Sequence, residues 1–166
     1  MADLWQEIVF WFFAIAMSVA GIRVVTTRNV VHAALYLVVT LLGAAAMFVL
    51  LMAEFVAWVQ VLVYVGAIVV LMLFGLMLTR APIGSGSFDN NQRPLAALVA
   101  LMVFGVSAVI MVDAFEGQEI DFTREAGTTS AQVGESIFSA FVLPFEVVSV
   151  LLLAALVGAV VIARRD

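Results

Sequence analysis

Polar side chains that interrupt long apolar segments are the residues of this chain that could do chemistry. Glu146 is the only carboxylate that lies well inside such a segment, and an ionised carboxylate in an apolar medium must be paired, hydrated or protonated. It follows the predicted start of its helix by about nine residues, which is about 14 Å at 1.5 Å per residue. Two hypotheses stay open. Glu146 relays protons along a water path, or it stays neutral and hydrogen-bonds to a neighbouring helix near Pro144, which loosens the local backbone.

A second polar group lies in the middle of the third apolar segment. Gln60 and Tyr64 are four residues apart and therefore share one face of an α-helix. Gly66 follows two residues later, and a glycine at this position permits close helix packing or a local π-bulge. The three residues could serve gating, or they could serve packing alone.

Cofactor ligands are scarce in this sequence. It has no cysteine, which excludes disulfides, thiolate metal sites and iron–sulfur clusters. Its only histidine, His32, lies near a predicted membrane surface, where we expect it to be an interfacial anchor. A bis-histidine haem or a three-histidine zinc site cannot be built from one histidine. We therefore predict no catalytic residue, no metal and no cofactor bound by this chain.

The composition requires a membrane. Of the 166 residues, 66% are hydrophobic and 11% are charged, whereas soluble domains are about 45–50% apolar and about 25% charged. A spanning helix needs about 20 mostly apolar residues. The sequence predicts a single transmembrane domain over residues 1–166, an all-α membrane protein with a tight reversal near Glu54. Its five predicted helices cover residues 4–22, 29–53, 55–79, 95–113 and 137–163.

The distribution of charge predicts how the helices are oriented. Three segments on one side of a five-helix topology hold six of the seven arginines: Arg23, Arg28, Arg80, Arg93, Arg164 and Arg165. The positive-inside rule assigns these segments to the cytoplasm, so the N-terminus is predicted outside and the C-terminus cytoplasmic. Because Asp3 and Glu7 replace a positive leader region, we expect no cleaved signal peptide. With no lysine and no basic patch, nucleic acid is not an expected partner.

Two polar stretches separate the later helices. Residues 80–94 are rich in glycine, serine and asparagine, which predicts a flexible cytoplasmic loop. Residues 113–136 carry an excess of acids, which predicts an acidic periplasmic loop that could fold on a neighbouring protein. The chain has no internal repeat of the kind that builds secondary transporters.

Three stretches of the sequence are similar to a known family. The first is an Asn-x-x-His-Ala motif that begins at Asn29, the second is Tyr-x-Gly-Ala-Ile from Tyr64, and the third is residues 141–153 around Glu146. In this order the chain resembles subunit J of bacterial NADH:quinone oxidoreductase, or respiratory complex I. That family is the counterpart of mitochondrial NADH dehydrogenase subunit 6.

The resemblance implies a non-redox membrane-arm subunit of a translocase, which couples quinone reduction to proton translocation through a water path beside the third helix. In the family that helix can hold a π-bulge, so Tyr64 and Gly66 become the switch candidates. Some relatives carry glutamate where this chain has Gln60, so water or a partner's side chain must carry a proton at that depth. Glu146 matches a glutamate found in relatives, which favours a functional or intersubunit polar contact.

The same resemblance implies the surroundings of the chain. Its partners would be the lipid bilayer, the complex I membrane subunits A, H and K, and the antiporter-like subunits. NADH, FMN, iron–sulfur clusters and quinone would be bound by other subunits, and the location would be the inner, or plasma, membrane. Three alternatives stay open: the equivalent subunit of a related membrane-bound hydrogenase or antiporter complex, a purely structural scaffold, or a small stand-alone channel.

Overall fold

The computed structural model describes residues 2–78, 92–117 and 129–164. The regular secondary structure of these residues is helical. The predicted loop at 80–94 lies largely outside these ranges, and residues 118–128 of the predicted loop at 113–136 also lie outside them. In chain order the helices are α1 (Ala2–Thr26), α2 (Val30–Leu50), α3 (Glu54–Val59), a π-helical segment (Gln60–Val69), α4 (Val70–Leu78), α5 (Arg93–Ala114), α6 (Ser130–Ser139) and α7 (Val142–Ala163).

Five stretches of helix are long and apolar enough to cross a membrane, which confirms the predicted fold class. They are α1, α2, the continuous helix Glu54–Leu78, α5 and α7. We call Glu54–Leu78 the third span and its central part, Gln60–Val69, the π segment. The orientation of the termini stays a prediction.

Short connections force the first three spans to pack side by side. Only residues 27–29 separate α1 from α2, and the side-chain oxygen of Asn29 caps α2 by accepting hydrogen bonds from the backbone N–H groups of Val31 at 3.0 Å and His32 at 3.4 Å. The next reversal occurs at residues 51–53, where Met52 has a φ of 56°. This left-handed conformation costs a non-glycine residue about 1–2 kcal/mol, and it turns the chain within three residues so that Glu54 begins α3.

Small residues form the contacts between these spans. α2 lies between α1 and the third span, and it contacts both. Among the residues that the structure describes, five side chains are buried: Ala20, Ala34, Ala45, Ala57 and Val69. At Gly43 an added Cβ would lie 2.8 Å from the Cβ of Met17, so α1 approaches the backbone of α2 closely there. Such packing is typical of membrane helices, whose association depends on close approach rather than on the hydrophobic effect.

The last apolar segment differs from its prediction. Residues 137–163 were expected to form one helix, but the chain breaks between α6 and α7 at residues 140–141. Pro144 explains the break, because proline lacks an N–H and is tolerated only in the first turn of a helix, and α7 begins two residues before it. α6 begins with a capping box between Thr129 and Gln132. It contacts α3, so the α6–α7 corner lies on the same side of the molecule as the α2–α3 turn.

Candidate functional site in the third span

The π segment is the most unusual part of the backbone. It runs for ten residues, Gln60–Val69, with α-helix on both sides. Most π-helical stretches are single turns, and they occur frequently at functional sites. The local sequence is suited to it, since valines at every second position, 59 to 65, are β-branched and crowd an α-helical turn.

Gly66 lies inside this segment and touches little. Beyond the backbone of its own turn, a Cβ added there would meet the carbonyl oxygen of Val61, at 3.4 Å. That oxygen is five residues earlier, which is the partner spacing of a π-helix rather than of an α-helix. An alanine therefore fits at ordinary van der Waals contact, whereas a branched side chain adds bulk at the turn that would have to change.

The other two predicted residues of the segment face different surroundings. Gln60 is half-buried, and its Nε2 donates a hydrogen bond of 3.5 Å to the backbone carbonyl oxygen of Leu41 in α2. The side chain of Tyr64 is 47% exposed, and its hydroxyl bonds to none of the described residues. The first residue of the π segment is thus tied to α2, while the phenol in its middle is open to a partner or to water.

Glu146 belongs to a different part of the molecule. It is exposed, and its helix α7 contacts α6 but no other helix among the described residues. Because α7 begins at Val142, Glu146 lies about 6 Å along the helix axis from its start, and not about 14 Å as the sequence suggested. The structure therefore brings Gln60, Tyr64 and Gly66 together in one segment and leaves Glu146 apart from them.

Sequence reasoning missed two features near these residues. The hydrogen bond between the Gln60 side chain and the Leu41 carbonyl joins residues 19 apart in the sequence, and no local sequence pattern predicts it. The helix α6 lies where a loop was expected, although Thr129 followed by Gln132 is a capping-box signal that could have located its start. Within the described ranges, no group of three His, Cys, Asp or Glu residues could hold a metal ion.

Known proteins are similar in sequence to this chain over most of its length. The model of the family NADH-ubiquinone/plastoquinone oxidoreductase chain 6 matches residues 20–162. The chain is 41% identical to F(420)H(2) dehydrogenase subunit J of Methanosarcina mazei, over 97% of this chain and 92% of the relative. It is 40% identical to NADH-quinone oxidoreductase subunit 10 of Thermus thermophilus, over 89% and 84%.

A third relative carries the subunit name that the motifs suggested. NADH-quinone oxidoreductase subunit J of Rhodobacter capsulatus is 35% identical over 94% of this chain and 80% of the relative. These matches and the five membrane-spanning helices confirm the resemblance. The chain belongs to the NADH-ubiquinone/plastoquinone oxidoreductase chain 6 family, and it is a multi-pass membrane subunit of a multi-subunit oxidoreductase complex.

Proposed function

We propose that this subunit couples quinone reduction to proton translocation by switching a water path beside the third span. The observation that carries the proposal is the ten-residue π segment around Tyr64 and Gly66, in the middle of a 25-residue span. A regular α-helix would satisfy the backbone hydrogen bonds of such a span without help. A long departure from that pattern is a candidate for a second backbone state.

A change between π and α turns would move Tyr64 in a defined way. Each residue of an α-helix advances the chain by about 100°, so gaining or losing one residue per turn rotates the residues after that turn relative to the residues before it. A long hydrogen bond of 3.5 Å from Gln60 to Leu41 connects the beginning of the segment to α2. Tyr64 and Gly66 would then be the residues that rotate. The phenol of Tyr64 both donates and accepts hydrogen bonds, so it would join or leave a chain of waters.

The redox chemistry of the complex is assigned to its other subunits. This sequence has no cysteine to ligate an iron–sulfur cluster, and the family resemblance assigns NADH, FMN and quinone to other subunits as well. We place the chain next to subunits A, H and K and the antiporter-like subunits, in the plasma membrane. A proton that passes the depth of Gln60 would be carried by water or by a partner's side chain, since an amide does not ionise.

The names of the relatives favour a role that does not depend on the electron donor. One relative is called an F(420)H(2) dehydrogenase subunit, and others are called NAD(P)H-quinone or NADH-quinone oxidoreductase subunits. A second candidate is therefore the same coupling role in a complex that takes electrons from another donor. Assaying native membranes with NADH and with reduced F420 as alternative donors distinguishes the two.

A matched pair of glycine variants tests the switch. Gly66→Val adds a branched side chain inside the π segment, and Gly75→Val adds the same side chain to α4, where a Cβ meets no atom within 4 Å. We expect Gly66→Val to lower proton pumping and quinone reduction severalfold, while electron transfer from NADH to an artificial acceptor is retained. Gly66→Ala and Gly75→Val should retain most of the coupled activity. Unchanged pumping in Gly66→Val contradicts the switch and supports a structural scaffold instead.

A further inference from the structure

The short helix α6 has a polar face and an apolar face. From residue 131 to residue 139, all of its polar side chains lie within about one third of the circumference, at about 100° per residue. The polar residues are Gln132, Glu135, Ser136 and Ser139, and the other side of the helix carries Ala131, Val133, Ile137 and Phe138. This division is typical of a helix at a boundary between water and an apolar medium.

The rest of the described chain covers only half of the apolar face. Val133 and Ile137 are half-buried on the half where α6 contacts α3. On the other half, the side chain of Phe138 is 67% exposed, and its ring packs edge-to-face on Phe145 of α7 with 5.2 Å between the ring centroids. Phe141, between the two helices, is exposed as well. We call Phe138, Phe141 and Phe145 the phenylalanine corner.

Two membrane spans set the level of this corner. α7 begins at Val142, shortly after α6 ends at Ser139, and α6 also contacts α3, which forms the first six residues of the third span. α7 itself contacts no helix except α6 within the described ranges. The helix α6 therefore runs from the start of one span to the start of another, along a membrane surface rather than across the bilayer.

The size and charge of the exposed surface indicate what covers it. The phenylalanine corner exposes roughly 300–400 Å² of ring surface, whereas each side of a stable protein interface buries about 800 Å². The only charged residue of α6 is Glu135, on the polar face. A small aromatic patch below a face that carries one carboxylate suits the boundary between headgroups and acyl chains, without attraction to anionic lipid.

We propose that α6 is an interfacial helix, whose phenylalanine corner inserts among the upper acyl chains of the bilayer while Glu135 faces water and headgroups. The other half of the apolar face supports α3. Lipid bound at the corner thereby steadies the start of the third span, six residues before the π segment. The inference rests on the five membrane spans and not on the proposed switch in the third span.

Fluorescence quenching tests this position in the intact complex, reconstituted in phosphatidylcholine bilayers. A fluorescent amino acid is incorporated at position 138, in the phenylalanine corner, or at position 135, on the polar face, as the matched control. We expect lipid brominated in the upper part of its acyl chains to quench the probe at 138 severalfold more than iodide in the water does. The order should be reversed at 135.

Two results would overturn the proposal. If iodide is the stronger quencher at both positions, α6 lies in water. If neither quencher reaches position 138, protein covers the corner, either another subunit or residues 118–128 of this chain. Equal quenching at 138 in bilayers with and without phosphatidylglycerol is expected, because α6 carries no basic side chain to bind an anionic headgroup.

A charge placed in the corner tests whether the corner holds α6 at the bilayer. The probe is moved to position 131, which is about two turns before Phe138 and on the same side of the helix. We expect Phe138→Glu to lower quenching by brominated lipid severalfold and to raise quenching by iodide. Ser136→Glu adds the same charge to the polar face and should change neither. Unchanged quenching in Phe138→Glu would contradict the role of the corner, whatever the outcome for Gly66.

Discussion

The first three membrane spans pack on one another, whereas α5 and α7 contact no other span within the described ranges. All five are apolar enough to cross a bilayer, so hydropathy does not explain the difference. Buried alanines occur among the first three spans, at Ala20, Ala34, Ala45 and Ala57, whereas a Cβ added at Gly105 in α5 or Gly158 in α7 meets no atom within 4 Å. In lipid, apolar surface alone gives helices no reason to associate, so the places where backbones approach closely decide which helices pair.

The subunit therefore contains two kinds of structure. The three-span bundle (α1, α2 and the third span) is held by its own contacts and supports the π segment against α2. The two outer helices, α5 and α7, contact no other span within the described ranges. Changes inside the bundle should therefore act through its own stability more strongly than matched changes in α5 or α7.

The largest expected effect comes from filling the closest approach in the bundle. Gly43→Leu adds a side chain where a Cβ already comes within 2.8 Å of Met17, so α1 and α2 must separate. Overpacking of this kind costs about 1–3 kcal/mol, and we expect the temperature of half-inactivation of the complex to fall by several degrees. Gly105→Leu in α5 is the matched control, since no atom lies within 4 Å of its Cβ. An equal or larger fall for Gly105→Leu would break the comparison.

A smaller effect is expected where the bundle holds the π segment. Gln60→Leu keeps most of the side-chain volume but removes the 3.5 Å hydrogen bond to the carbonyl of Leu41. The loss of one such bond costs about 0.5–1.5 kcal/mol, and the segment should become less well fixed. We expect a small fall in the temperature of half-inactivation and a measurable fall in protons pumped per electron. If neither quantity changes, Gln60 does not anchor the segment.

The smallest effect on coupling is expected at the connection between α1 and α2. Asn29→Ala removes the side chain that caps α2 through Val31 and His32, which costs about 1 kcal/mol in typical helices. Coupling should not change, because the connection does not contact the π segment within the described structure. Asn29→Asp keeps a capping oxygen and should behave like the wild type in thermal inactivation. A loss of coupling in Asn29→Ala would show that the bundle transmits more than stability.

Much of this architecture can be predicted from the sequence alone. Charge-free length is sufficient to count membrane spans, because the bilayer penalises every ionised side chain. Apolar residues continue on both sides of the break between α6 and α7, so the sequence prediction joined the two helices, although Pro144 indicates a helix start. A helix end that is set by one local residue, such as a proline, can therefore be predicted from the sequence.

The rest depends on contacts that no local pattern encodes. Gly66 permits a π turn, but the ten-residue extent of the π segment depends on hydrogen-bond register over two turns. The bond between Gln60 and Leu41 exists only after α2 and the third span have packed. The sequence also does not predict that α5 and α7 lie apart from the other spans, since an apolar helix has the same composition whether lipid or protein covers it.

The most direct test of the central claim is to determine the structure of the complex in two states, one with oxidised quinone bound and one after quinone reduction. Our account predicts that the third span differs between them within Gln60–Val69, with a long π segment in one state and α turns in the other. Tyr64 should move by a large rotation, while Gln60 stays on the carbonyl of Leu41. The same π segment and the same position of Tyr64 in both states would contradict the account.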